Sequence, residues 1–259
     1  MRKLNFAISP CPNDTYIFGG LFLKKVSFPF EVDFILQDVE RLNKLCMQGQ
    51  YDVIKVSCAV YSQVKDRYVL LRCGGAMGRG CGPVVVSKKG FFISEIQGKS
   101  IGIPGKNTTA FYIFKKAVPD FRGKIVELRY DKIIPAILEG DIDVGILIHE
   151  ARFTYGEYGL ELILDLGKWW EDTTSYPIPL GCILAKKELG EEIVRQIEDG
   201  IKRSIEYAEK NLAYIWPFIK QNAQEMDDSV IKRHIETFVN QFSKDIGDKG
   251  RGAIEFLTS

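Results

Sequence analysis

Leu138-Glu-Gly140-Asp-Ile-Asp143-Val144-Gly-Ile-Leu-Ile148-His149 decides how the rest of the chain is read. The apolar run from Val144 to Ile148 around Gly145 is too short for a helix and suits a central parallel strand, buried on both faces. Gly140 stands where a helix takes its C-terminal cap. His149, one of only two histidines in the chain, follows the strand at once. Ligands of open α/β sheets bind beyond the carboxyl ends of strands. Asp143 to Tyr155 is therefore the first candidate for chemistry.

The same phrase occurs earlier. Met47-Gln-Gly49-Gln-Tyr-Asp52-Val53 has the form of Leu138-Glu-Gly140-Asp-Ile-Asp143-Val144, 91 residues before it. Two further pairs keep the same order. Leu4 to Ile8, Ser9-Pro-Cys-Pro-Asn-Asp14 and Thr15-Tyr-Ile-Phe18 correspond to Ser100 to Ile103, Pro104-Gly-Lys-Asn107 and Thr108 to Phe114, and Tyr-Ile-Phe itself recurs at 16 and 112. Gly82-Pro-Val-Val-Val-Ser-Lys-Lys89 corresponds to Gly181-Cys-Ile-Leu-Ala-Lys-Lys187. Ordered self-similarity of this kind predicts two similar lobes. Residues 1–81 and 182–259 are expected to form lobe one and residues 82–181 lobe two, with a cleft between them. This is an α/β arrangement that resembles the type II periplasmic binding proteins.

Within that plan, Leu4–Ile8, Glu31–Leu36, Tyr51–Val56 and Ser100–Ile103 are expected strands. Val39–Met47 carries apolar residues at helical spacing, and helices at 191–210 and 229–242 would complete lobe one. Asp14 is expected to cap a helix over 15–23. Ile231, Ile235, Phe238 and Phe242 share a helix face, with His234 beside them in a packing or interface role. Gly74 to Gly82 lacks the ending of a P-loop and the glycine order of a dinucleotide fingerprint. It is expected to be a flexible approach to the hinge, with Arg79 a cation facing the ligand. Trp169-Trp170 belongs to core or surface before it belongs to a ligand wall.

Four loops then follow strands at their carboxyl ends: Ser9 to Thr15, Lys55 to Ser57, Gly105 to Ala110, and His149 to Tyr155. Two are helix starts rich in Thr, Ser and Asn, suited to an anionic group through N–H and hydroxyl donors. Thr108 and Thr109 serve equally well as plain caps, and Lys55 either brings positive charge or snorkels at a strand edge. His149 is either a hydrogen-bonded core histidine or a group for acid–base work near neutral pH.

The totals narrow the partners. With 35 Lys plus Arg against 34 Asp plus Glu in 259 residues, the net charge of +1 offers no basic field for nucleic acid. No run approaches the roughly 20 apolar residues of a membrane span. A cytoplasmic protein acting on a small anionic molecule is expected, with a homodimer left open. No two of the six cysteines are spaced C-x-x-C, so zinc, iron–sulfur and thioredoxin-like sites lack support, and disulfides are not expected. His149-Glu150 opens like a zincin motif, but Phe153 stands where the second histidine belongs.

Taken together, Ser9-Pro-Cys-Pro-Asn-Asp-Thr15, Lys55-Val-Ser57, Gly74-Gly-Ala-Met-Gly-Arg-Gly80, Pro104-Gly-Lys-Asn-Thr-Thr-Ala110 and Ile148-His-Glu-Ala-Arg-Phe-Thr-Tyr155 resemble the 1,4-dihydroxy-6-naphthoate synthase family of menaquinone biosynthesis by the futalosine pathway. The resemblance implies a lyase acting on cyclic dehypoxanthinylfutalosine without metal or organic cofactor. It implies His149 as general base and Lys55, Val56, Ser57, Thr108, Thr109 and Ala110 as substrate-binding residues; Asn13, Arg79, Arg152 and Tyr155 receive no role. A solute-binding protein of the same fold and a chorismate dehydratase-like enzyme are the alternatives.

Overall fold

The computed structural model describes residues 2–224 and 227–258. The chain forms two compact units, one from Met1–Met77 with Pro179–Ser259 and the other from Gly78–Ile178. Eleven strands are described: β1 (Lys3–Ile8), β2 (Glu31–Leu36), β3 (Val53–Ser57), β4 (Tyr68–Leu70), β5 (Ala76–Gly78), β6 (Val84–Ser87), β7 (Ser100–Ile103), β8 (Lys124–Glu127), β9 (Val144–Leu147), β10 (Glu161–Asp165) and β11 (Ile178–Lys186). They make two sheets. The first runs β2-β1-β3-β11-β4 with β5 paired to β11, and the second runs β10-β6-β9-β7-β8.

The repeated phrases land on equivalent strands. β1 is parallel to β2 and β3, and β11 lies antiparallel beside β3. In the second sheet β7 is parallel to β8 and β9, and β6 lies antiparallel beside β9. Each unit thus has a parallel triad, first strand in the middle, closed by one antiparallel strand. The repeated aspartate explains why the phrase recurs. Asp52 donates its N–H to Asn5 O (3.0 Å), and its carboxylate accepts the Asn5 N–H at 2.9 Å. Asp143 does the same with Ser100, at 3.1 Å and 2.8 Å, and also takes the Ser100 hydroxyl at 2.7 Å. Each aspartate pins the start of its unit's third parallel strand to the first, which sets the register there.

Gly145 has a packing reason. A Cβ built on it would come within 2.5 Å of Ile133 Cγ2 and 2.7 Å of Ile137 Cδ1, so the helix Ile133–Glu139 lies directly on β9. The β9 strand is buried along its whole length. In the first unit, the helices Pro12–Phe22, Glu191–Lys210, Leu212–Asn222 and Asp228–Phe238 pack with one another and with β1 and β11 around one apolar cluster. Phe6 sits within it, edge-on to Phe18 at 6.4 Å and to Phe34 at 5.3 Å, geometries worth roughly 0.5–1.5 kcal/mol each beyond area burial.

Three expectations are corrected. The first helix begins at Pro12, not after Asp14, because proline at the first helical position loses no hydrogen bond; its cap is Cys11, and Asp14 lies inside the first turn. The segment Gly74 to Gly82 is not simply a flexible approach: Ala76–Gly78 is a strand on β11, and the Arg79 guanidinium is engaged by Ser175 O at 2.6 Å and Glu171 Oε2 at 3.4 Å. The helix expected over 229–242 stops at Phe238. Val239 is extended, and Asn240 caps a separate turn, Gln241–Lys244, while donating to Met77 O at 2.8 Å. Phe242 therefore leaves the stripe, and His234 takes the fourth place on the buried face with Ile231, Ile235 and Phe238. Trp170 is fully buried, its indole donating to Pro177 O at 3.1 Å. Among the described residues no helix is long and apolar enough to cross a membrane.

Candidate active site

The sequence-predicted residues fall into two sets, one at the carboxyl ends of the parallel strands of each unit. In the first unit, the register sets the ends of β1 and β3 side by side. Lys55 does not snorkel. It is buried in a strand whose five residues are all buried, and its Nζ donates to Asp14 Oδ1 at 2.5 Å and to Gly74 O at 3.5 Å. A buried ammonium needs a counter-ion, and a buried pair holds only if its remaining oxygens are satisfied. Asp14 meets that condition. Its Oδ2 accepts the Ser9 hydroxyl at 2.7 Å and the Ser9 N–H at 3.3 Å, and its Oδ1 also accepts Asn13 Nδ2 at 2.9 Å.

Space for the lysine comes from β11. A Cβ on Gly181 would lie 2.8 Å from Lys55 Cε, so only glycine leaves the side chain this path. Val56 is fully buried between its neighbours and contributes backbone and packing. Ser57 is held by Asn43: the serine N–H donates to Asn43 Oδ1 at 2.9 Å, and Asn43 Nδ2 donates to the serine Oγ at 3.1 Å. Asn43 is itself fully buried. Sequence reasoning gave it no role, although a signal exists, since it shares the buried face of its helix with Leu42 and Cys46.

In the second unit, β7 leads through Pro104 and Gly105 into the helix Thr109–Ala117. Thr108 caps this helix, its Oγ1 accepting from Phe111 N at 3.2 Å while its hydroxyl donates to Gly105 O at 2.8 Å. The capping reading of Thr108 is therefore correct. The start of a capped helix suits a negatively charged group. Thr108, Thr109 and Ala110 are all buried.

His149 follows β9 as the sequence predicts, and two features of it were not legible there. Its φ is +56°, the left-handed region that non-glycine residues seldom enter and that histidine visits more often than most. Its half-buried ring meets Tyr130 edge to face, with centroids 4.8 Å apart. Tyr130 follows β8, so the ends of β8 and β9 together hold the imidazole. Behind it, Arg152 donates to Gly82 O at 2.6 Å and approaches Asp165 Oδ2 at 3.5 Å, which anchors the short helix Ala151–Thr154. Tyr155 packs on the apolar cluster of this unit. Both contacts hold the loop in place.

The thiols are poorly suited to nucleophilic work. All six cysteines are buried, and none is in a disulfide. Burial pushes the thiols of Cys46 and Cys81 up to about 12, and Cys182 lies well above its ordinary range because of its hydrogen bond with Cys58 and its burial. These three thiols stay protonated at neutral pH.

A sequence model described as menaquinone biosynthesis matches residues 4–259. The chain is 42% identical over 257 residues to the 1,4-dihydroxy-6-naphthoate synthase of Thermus thermophilus, covering 99% of this chain and 93% of that one. It is also similar to a crystal structure of protein AF1704 from Archaeoglobus fulgidus, with a TM-score of 0.93 and 31% identity over 98% of this chain and 95% of that one. A more distant likeness, to the Candida albicans CA3427 product, has a TM-score of 0.69 and 10% identity over 99% and 90% of the two chains. That protein is described as having the generic periplasmic binding protein fold, and this chain shares the fold. The chain belongs to the menaquinone-biosynthesis family and, within it, is an enzyme of the 1,4-dihydroxy-6-naphthoate synthase group.

Proposed function

We propose that the enzyme is a carbon–carbon lyase converting cyclic dehypoxanthinylfutalosine to 1,4-dihydroxy-6-naphthoate, with His149 as general base. Lys55, Val56 and Ser57 bind the substrate in this reading, as do Thr108, Thr109 and Ala110. The observation that carries it is the placement of one imidazole. His149 stands past the carboxyl end of a buried strand in the left-handed backbone region, its ring steadied by Tyr130 and its loop anchored by Arg152. Sparsely populated backbone of this kind costs of order 1–3 kcal/mol and persists where the surroundings enforce it, typically at functional sites.

The chemistry runs through the chain's own side chains. A neutral imidazole accepts a proton from the substrate, and the electron pair released opens the ring and breaks a carbon–carbon bond. The pair from that bond enters the ring system whose aromatisation to naphthalene supplies the driving force, and the rest of the substrate leaves as the second product. The Lys55 ammonium and the N–H groups at the Thr109–Ala117 helix start are donors for anionic oxygen. No metal or organic cofactor enters these steps, and a cytoplasmic enzyme with a small anionic substrate is the setting proposed.

The test is incubation of the purified protein with cyclic dehypoxanthinylfutalosine, following product by chromatography. Multiple turnovers yielding 1,4-dihydroxy-6-naphthoate are expected. Tight binding with no turnover would contradict the proposal and mark a solute-binding protein.

A further inference from the structure

His234 is a buried titratable side chain that the chemistry above does not use. It is fully buried and packs on Phe238 with centroids 4.7 Å apart, yet its Nε2 reaches Asn13 Oδ1 at 2.9 Å across 221 residues of sequence. The chain of bonds continues. Asn13 Nδ2 donates to Asp14 Oδ1 at 2.9 Å, and the same oxygen accepts Lys55 Nζ at 2.5 Å. Asn13, Asp14 and Lys55 are themselves all buried.

The polarity of this chain is determined from its anionic end. A carboxylate only accepts, so Asn13 must turn its NH2 to Asp14 and its carbonyl to His234. His234 Nε2 must then carry a hydrogen. We infer that His234 is a positioning residue for substrate binding: it locks the Asn13 amide, which holds Asp14, which sets the place of the Lys55 ammonium. This rests on the proposal that Lys55 binds the substrate.

An ammonium has three donors. Asp14 takes one and Gly74 O a longer second, which leaves a third for an anionic oxygen of the substrate. Without the His234 N–H, the Asn13 carbonyl loses a buried donor, and the amide can swing out of line with Asp14, which then loses the Asn13 N–H. Asp14 and the ammonium it holds would then shift. The damage falls on binding, because the proposed base, His149, stands on the other sheet.

The experiment is steady-state kinetics of His234→Leu and His234→Gln with cyclic dehypoxanthinylfutalosine, alone and with Lys55→Met. Glutamine brings an amide N–H to the place of Nε2; leucine brings none. His234→Leu is expected to raise KM about 10-fold, the usual size for one hydrogen bond to a charged network, with kcat within about twofold. His234→Gln restores KM to within about threefold, and in the Lys55→Met background His234→Leu adds no further change. Equal KM effects of leucine and glutamine, or a loss in kcat alone, would overturn the inference. Should the leucine variant not fold, 15N-histidine NMR of the wild type decides: an Nε2–H tautomer is expected, and an Nδ1–H tautomer contradicts it. Lys55→Met alone tests the underlying reading. If its KM is unchanged, Lys55 does not bind substrate; if its KM rises and that of His234→Leu does not, only the positioning role falls.

Discussion

Lys55 Nζ lies 2.5 Å from Asp14 Oδ1, and the two side chains are 7% and 1% exposed. Removing one member of such a pair leaves an uncompensated buried charge, which costs about 3–5 kcal/mol, whereas replacing both often costs little. Asp14→Ala is therefore expected to lower the unfolding free energy in urea by roughly that amount, and Asp14→Ala with Lys55→Met to recover most of it. Equal loss in the single and double variants would show that packing, not charge, holds the place.

Gly181 sets the path of the same lysine. Gly181→Ala puts a methyl 2.8 Å from Lys55 Cε, and because Nζ is tied to Asp14 the side chain cannot swing aside freely. KM is expected to rise several-fold with little change in kcat. The same substitution in a Lys55→Met background should leave KM where Lys55→Met alone puts it.

Asp143 gives a pH signature. The backbone N–H and hydroxyl of Ser100 hold its carboxyl below the usual carboxylate range. A group depressed in the folded state contributes stability above its unfolded value, near pH 4, and loses it as pH falls through the folded value. The difference in unfolding free energy between wild type and Asp143→Asn should be constant above about pH 5 and shrink below pH 4. A difference that grows on acidification would contradict the assignment.

Thr108 has two tasks that separate by substitution. Thr108→Ser keeps the cap and should be nearly silent, while Thr108→Ala should cost about 1 kcal/mol of stability. Because the cap orients the helix start, the alanine variant is also expected to raise KM. An unchanged KM with lowered stability would leave Thr108 a cap alone.

Much of this is legible in the sequence for a physical reason. Strands buried on both faces appear as short apolar runs, and Asp52 and Asp143 recur because each pins a strand start, so the parallel triads and the site of His149 can be read directly. Val39–Met47 and Glu191–Lys210 fall where periodicity places them. What is not legible depends on distant partners. Asp14 looks like a cap, since nothing near it in sequence announces Lys55, and Asn13 and His234 meet only after the last helices fold back. The positive φ of His149 is likewise invisible, because the residue is not glycine. Ser57 is visible as a strand end and Asn43 as a polar residue on a buried helix face, but the bond between them is not.

The central claim is that His149 removes a proton from the substrate, and turnover by His149→Ala measures it most directly. With cyclic dehypoxanthinylfutalosine at saturation, kcat is expected to fall by about 10²–10⁴, the usual contribution of a positioned general base, while the melting temperature stays near that of wild type. Undiminished formation of 1,4-dihydroxy-6-naphthoate by the folded variant would contradict the account.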